Sequence, residues 1–407
     1  MVNLYTKSYS MRKYLLFAVL MGFSVANAQQ KQVQRATVAF MNVENLWDVY
    51  PSADYIDGTL DKNDPNFHRS VPIDSLKYLE VTEDYKGIFN DENLIGKKVI
   101  RHQILSTDFT PLSAKRWDET KYKDKVSRVA KLISELGRQY TNTSPAIVGL
   151  VEVENRQVVK DIISEPILAK DDYGIVHYNS YDARGIDIAM IYQKKRFVPS
   201  NMWKKEIKIY NDEGKKIYTR DVVCVEGKLD GEHVAAFMNH WPSRTGGSAT
   251  NRLRNAAAEV LRKEMDSLRA ADPNIKMFAM GDFNDDPVDP SVAKYLGATG
   301  DISKISEKTP YFNPMWKLFK NGVASLAYRD APNLFDQIIV SPNVVSDAKL
   351  TPKYSMFKTE VFAPSYLVNS SGQWKGYPLR SWDGDTYTGG YSDHFPVFTI
   401  LQREYQK

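Results

Sequence analysis

Acids, amides and histidines collect in this chain at the ends of apolar runs. After "VAFM" come Asn42 and Glu44, and after "AIVGL" come Glu152 and Glu154. After "AAFM" come Asn239 and His240, after "KMFAM" come Asp282 and Asn284, and before "FPVFTI" come Asp393 and His394. Each has a plain structural alternative. Asn42 and Glu44 could cap a turn, "GDFNDDP" could be a turn closed by proline, and His240 beside Trp241 and Pro242 could be a satisfied structural histidine. Five such ends together point further. Buried carboxylates cost several kcal/mol each unless something neutralises them, and a hard divalent cation with oxygen ligands does so. The inventory suits phosphoester hydrolysis: acids for Mg2+ or Mn2+, two histidines for an anionic oxygen, and an acid–amide pair for water and phosphate.

Other chemistries are poorly supplied. The single cysteine, Cys224, cannot form an internal disulfide or a cysteine-based zinc site, and no cluster of three histidines is apparent. Neither a Walker-type phosphate loop nor a G-x-S-x-G elbow is present.

The elements that would position these groups are short and nearly continuous in apolar residues. They are "TVAFMNVENLW", "AIVGLVEVEN", "IDIAMIY", "HVAAFMNHW", "KMFAMGDFN", "FDQIIVS" and "FPVFTIL". Such runs fit strands covered on both faces. Cys224 in "DVVCVEG" reads as a core strand residue. Helical spacing is found at 121–137, where Val126, Val129, Ala130, Ile133 and Leu136 form one stripe before Gly137, and at 251–269, through Leu253, Ala256, Ala257, Val260, Leu261 and Leu268. Interleaved strands and helices predict an α/β class. Residues 51–106 and 355–390 read as irregular excursions, and long loops of this kind are often functional.

With 407 residues, 43% hydrophobic and 12% aromatic, the chain can bury a large core. "MRKYLLFAVLMGFSVANAQQ" has a basic start, an apolar run and Ala26-Asn27-Ala28, which predicts an export signal cleaved after Ala28; Met11 is an alternative start. No other stretch is expected to cross a membrane. Processing removes Lys7, Arg12 and Lys13 and no acid, so the net charge falls from +4 by three, to +1. Bulk charge therefore makes no case for nucleic acid. The expected product is periplasmic or secreted: one domain over 29–407, with a long insertion at about 51–106.

In order, "FMNVENLW", "VGLVEVEN", "RGIDIAMIY", "NHWPSRTGG", "GDFND", "FDQIIVS" and "YSDHFPVF" resemble the endonuclease/exonuclease/phosphatase superfamily with the DNase I-like fold, in an exported bacterial branch. The resemblance spans residues 37–400. It implies a four-layer sandwich of two mixed sheets flanked by helices. It also implies roles. Asn42, Glu44, Glu152 and Asp393 would lie at the metal, with Mg2+, Mn2+ or Ca2+ as cofactor. Asp282 and Asn284 would position water, phosphate and leaving group. His240 and His394 would stand at the scissile phosphate, with Asp336 orienting His394. Arg184, Arg244 and Tyr181 are candidate substrate contacts, each with a structural alternative, and Asp187 is a candidate buttress. The implied reaction is in-line attack on a phosphoester by a metal-assisted water. Nucleic acid is the leading substrate class. Inositol phosphates or phospholipid headgroups, with a membrane lipid as partner, are the alternative, and a non-catalytic binding module is the third. No obligate protein partner is expected.

Overall fold

The computed structural model describes residues 32–49, 77–80, 98–101, 109 and 113–405, save 179, 181, 183, 211, 212, 215, 218, 329 and 346–349. Tyr181, residues 1–28 with the expected export signal, and most of the 51–106 segment lie outside the described residues.

Thirteen strands build two large sheets. They are β1 (Gln32–Leu46), β2 (Ile147–Val153), β3 (Tyr173–Tyr178), β4 (Asp187–Gln193), β5 (Phe197–Lys205), β6 (Val222–Leu229), β7 (Glu232–His240), β8 (Lys276–Asp282), β9 (Ala298–Thr299), β10 (Tyr311–Phe312), β11 (Asp336–Val340), β12 (Ser355–Val361) and β13 (Val397–Tyr405). The six-stranded sheet runs β12-β13-β1-β2-β4-β3, and the seven-stranded sheet runs β9-β10-β11-β8-β7-β6-β5. Both are mixed: β1 and β2 are parallel while β1 and β13 are antiparallel, and β7 and β8 are parallel while β8 and β11 are antiparallel. All seven expected apolar runs are strands.

Side chains alternate across each strand, so each sheet presents two faces. Val38 and Phe40 of β1, Met238 of β7 and Met280 of β8 meet between the sheets. Ala39, Met41 and Val43 point the other way, onto Val129 and Ile133 of α1 (Glu119–Glu135) and Val159 and Ile162 of α2 (Arg156–Ser164). On the far face of the second sheet, Phe237 and Ala279 pack on Ala257, Leu261 and Met265 of α3 (Asn251–Ala271). Four layers result, as the continuous apolar runs require. Gly149 marks where the sheets approach closely: a Cβ there would stand 2.9 Å from both Met238 and Met280.

Local chemistry sets the helix ends. Asp118 accepts from the Lys121 amide at 2.9 Å and starts α1. Gly137, at φ +70°, lies just beyond the helix, where left-handed backbone favours glycine. Asn155 caps α2 by accepting from the Val158 amide. The apolar stripe of α3 holds, with one addition from the polar set: Arg254 is buried and pairs with Asp285 at 2.9 Å.

The four edge strands, β3, β5, β9 and β12, lie outside the expected apolar runs. β5 and β12 expose many of their residues and lack a continuous apolar run. The 355–390 region is therefore irregular only after its first seven residues, which pair with β13. Among the described residues, no helix is long and apolar enough to cross a membrane.

Candidate active site

Three neighbouring strands bring three of the predicted residues side by side. His240 at the end of β7 is the parallel register partner of Asp282, and Asp282 is the antiparallel partner of Asp336 at the start of β11. The other sheet supplies Asn42 from β1 and Glu152 from β2. Here the regular ladder breaks. The register slips between Asn42 and Leu46 on β1, and between Val151 and Val153 on β2. Glu44, Asn45 and Glu152 adopt positive φ, as does Asn284 after β8. Such backbone persists only where surrounding contacts over-determine it. The bulge turns Glu152 toward the second sheet, and the Asn45 amide donates to its Oε2 at 3.0 Å.

The convergence is tight. His240 Nε2 stands 3.7 Å from Glu152 Oε1 and 3.6 Å from Asp282 Oδ2. Asn42 Nδ2 donates to Asp282 Oδ2 at 3.3 Å. His394 Nε2 lies 4.0 Å from the same oxygen, while its Nδ1 lies 2.7 Å from Asp336 Oδ2. Asp336 Oδ2 also accepts from Ser325 Oγ at 2.6 Å. Asn284 donates its amide N–H to Asp282 Oδ1 and its side-chain Nδ2 to the Trp241 carbonyl. Ser392 Oγ accepts from the His394 amide and donates to the Asn42 carbonyl, tying the last loop to β1.

Burial separates the two histidines. His240 falls well below the ordinary value, through burial first and then the charges of Arg220, Arg184 and His394. For His394 burial acts against the charge, but Asp336 and Asp282 outweigh it and raise the imidazole well above its usual value. Burial likewise pushes Asp282 up to about 7, with His394 pulling down and Asp336 pushing up. The site thus pairs a neutral imidazole with an imidazolium around a carboxyl that titrates near neutrality.

The remaining predicted residues divide. Arg184 is half exposed, ion-paired to Asp182 at 3.3 Å, and within the field of Glu152 and Asp282. Arg244 does not stand free for a phosphate. Its guanidinium contacts Asp285, Asp286 and Asp289 and lies 4.4 Å over the Phe335 ring. It clasps the loop after Asn284 because that loop carries three acids. Asp187 is buried and pairs with His177 at 3.0 Å. Glu154 Oε2 accepts from the Asp48 amide, and Asn239 bonds backbone carbonyls and the Trp241 indole.

Glu44 and Asp393 depart from the expected metal shell. Glu44 is 1% exposed, and both its oxygens are engaged: Oε1 by Arg380 Nε at 3.1 Å, and Oε2 by the Ser381 amide at 2.6 Å. Its carbonyl accepts from the buried Lys125 amine. Asp393 is 38% exposed and sits 3.5 Å from Arg380 Nη2. Arg380 thus occupies the space between two carboxylates that the resemblance gives to a cation. No spacing rule singles out Arg380 or Arg220. Arg220 is buried, bonds Asp182 at 2.6 Å and the Trp241 carbonyl at 2.8 Å, and so holds the backbone just after His240.

Among the described residues, no group of three or more His, Cys, Asp or Glu is arranged to hold a metal by itself. Glu152 and Asn42 remain as an oxygen pair. That set fits a Mg2+-like ion, which keeps several waters and binds through one or two carboxylates plus substrate phosphates.

The sequence profile described as "Endonuclease/Exonuclease/phosphatase family" matches residues 87–403, beginning beyond β1. No curated protein matches the chain. Among solved structures, an endonuclease/exonuclease/phosphatase family protein from Bacteroides thetaiotaomicron is 14% identical, covering 92% of this chain and 100% of its own at TM-score 0.48. A mannosyl-6-phosphatase from Bacteroides thetaiotaomicron is 17% identical, with 70% and 94% covered at TM-score 0.45. A humanized D. rerio TDP2 is 16% identical, with 68% and 93% covered at TM-score 0.44. The profile match takes in far more than half of the sequence and every candidate site residue except Asn42 and Glu44. The chain belongs to the endonuclease/exonuclease/phosphatase family.

Proposed function

We propose that the protein is a divalent-cation-dependent phosphoester hydrolase, acting on a phosphodiester and exported after removal of its first 28 residues. The observation that carries this reading is that His240 reaches Glu152 at 3.7 Å and Asp282 at 3.6 Å, while His394 reaches the same Asp282 oxygen at 4.0 Å, joining side chains from both sheets. Each residue has a chemical task. His394, held by Asp336 and kept protonated, donates from Nε2 to a phosphoryl oxygen and stabilises its growing charge. Asp282, titrating near neutrality, accepts a proton from the attacking water as the new P–O bond forms and the bond from phosphorus to the ester oxygen breaks, the departing oxygen taking its proton from solvent. Asn284 fixes Asp282 through its backbone N–H. Neutral His240 offers Nε2 to the phosphate or to the water. Glu152 and Asn42 would hold a Mg2+ or Mn2+ ion, which when bound supplies positive charge against the phosphoryl oxygens.

Nucleic acid is the first substrate to test. A compact phosphoester, such as an inositol phosphate or a lipid headgroup, is the second reading. It is favoured by the surroundings of the site: Arg244 is neutralised, and Asp330, Asp383 and Asp393 line the adjoining cavity. Plasmid DNA, RNA, sphingomyelin and a generic phosphodiester, each with Mg2+ and with EDTA, separate the two. Hydrolysis that EDTA abolishes and His394→Ala removes, with folding intact, is the expected result. No hydrolysis of any ester would leave a binding module on the same fold.

A further inference from the structure

Glu44 and Asp393 face a guanidinium where the resemblance places an ion, and the fold holds that guanidinium firmly. Residues 379–381 pair with 388–391: the Tyr391 amide donates to the Leu379 carbonyl at 2.7 Å, and the Thr388 amide to the Ser381 carbonyl at 2.9 Å. Gly390 lets the two lengths of chain touch, since a Cβ there would stand 2.0 Å from the Arg380 carbonyl oxygen. Arg380 is therefore fixed at its backbone as well as at its tip, where Nε reaches Glu44 at 3.1 Å and Nη2 stands 3.5 Å from Asp393.

Counter-charge divides the acids of the site. The Glu44 carboxylate is bonded at both oxygens, by Arg380 and by the Ser381 amide, and the fully buried Lys125 holds its carbonyl from below. Glu152 has the Asn45 amide and the His240 imbalance-free neutral imidazole as partners, and among the described residues no lysine or arginine nitrogen lies within ion-pair distance of it. A buried carboxylate that already has its counter-charge gains little from another cation, whereas one without it gains most. An added ion is therefore favoured at Glu152 and not at Glu44.

Arg380 also faces the reaction. Asp393 Oδ1 lies 4.0 Å from His394 Nε2, so one carboxylate separates the guanidinium from the imidazole nitrogen that faces the phosphate site. The Arg380 side chain is 53% exposed, and among the described residues no acceptor takes its Nη1. Guanidinium donors suit phosphate oxygens, and their charge does not depend on the supply of an ion.

We propose that the Arg380 guanidinium takes the place of a second divalent ion, contacting the phosphoryl group of the ester while a single ion binds at Glu152 and Asn42. The proposal rests on the phosphoester reading above. Glu44 is then the anchor of Arg380 and not a metal ligand.

Two binding measurements on the full-length processed protein test it, neither needing turnover. The first titrates Mn2+ by calorimetry. Wild type should take one ion per chain, Glu152→Gln should weaken it by about tenfold or more, and Glu44→Gln should leave its Kd within about twofold. Two ions in wild type, or a Glu44→Gln loss as large as that of Glu152→Gln, overturns the proposal. The second titrates inorganic phosphate in EDTA. Arg380→Gln should raise its Kd by about tenfold or more, the loss of one charge-assisted contact, and Arg380→Lys, which keeps the charge, by less than about threefold. Equal phosphate affinity in wild type and Arg380→Gln overturns the proposal. Phosphate binding that needs Arg380, in a protein that hydrolyses no ester, supports the role of Arg380 and sinks the phosphoester reading. Hydrolysis that Arg380→Gln leaves intact does the reverse.

Discussion

His394 Nδ1 and Asp336 Oδ2 stand 2.7 Å apart although 58 residues separate them in sequence, and Ser325 holds the same oxygen from the other side. The pair fixes which imidazole nitrogen faces the phosphate site. It also supplies a large share of the field that keeps His394 protonated. Asp336→Asn should therefore lower the His394 pKa and cut kcat by about 10²–10⁴-fold, the usual range for a positioned acid or base. NMR titration of His394 with steady-state kinetics checks both. An unchanged His394 titration alongside lost activity would assign Asp336 to structure alone.

Glu152 offers the clearest test of the cation. It sits on a bulge, has one oxygen bonded to the Asn45 amide, and turns the other toward His240. Glu152→Gln keeps the shape and removes the charge. The Mg2+ concentration for half-maximal activity should rise at least tenfold. The rise in melting temperature that Mg2+ gives the wild type, by binding the folded state, should shrink. Thermal denaturation with and without Mg2+ reads this without any substrate. An equal Mg2+ shift in both proteins would place the ion elsewhere.

How much of this was legible in the sequence follows from what each feature depends on. The central strands show as apolar runs because both their faces are covered, whereas β5 and β12 lie at sheet edges, where half-exposed positions erase the signal; β3, an edge strand that is mostly buried, is hidden instead by its glycine, histidine and tyrosines. The strand-end residues could be gathered as a set, and Asn42, Glu152, His240, Asp282, Asp336 and His394 do meet. Their sorting could not be read. Glu44 and Arg380 are 336 residues apart, and nothing local marks Arg380 as the occupant of that space. Arg244 looked available because its three carboxylate partners follow Asn284, in a segment that reads as a turn. The bulge at Glu152 depends on two strands slipping together, which no single stretch encodes.

Arg380 should carry stability as well as shape. Burial raises the Glu44 carboxyl and Asp393 raises it further, while Lys125 and Arg380 oppose them. Removing Arg380 leaves a buried carboxylate with less compensation. Its own side chain is 53% exposed, so the loss is discounted to about 1–2 kcal/mol rather than the larger cost of a fully buried pair. Arg380→Gln should show that loss in urea unfolding, and Glu44→Gln in the same background should recover part of it. Additive losses in the double-mutant cycle would mean the two side chains do not interact.

His233 gives a pH dependence far from the site. It bridges Asp272 at Nδ1 and Glu226 at Nε2, both at 2.7 Å, joining the end of α3 to β6 and β7. Burial works against its charge, but the two hydrogen bonds prevail and raise its pKa above 6.5. A raised folded-state value means that the protonated form is favoured by folding. The stabilisation is therefore complete below about pH 6.5, the unfolded value, and is lost as pH rises through the folded value. His233→Gln should lower the melting temperature most at pH 5.5, with the gap from wild type narrowing steadily toward pH 9. Asp272, whose carboxyl the hydrogen bond from His233 holds below its ordinary value, stays ionised across that window. A gap that widens with pH would show that His233 contributes through its neutral form, and that the bridge is not an ion pair.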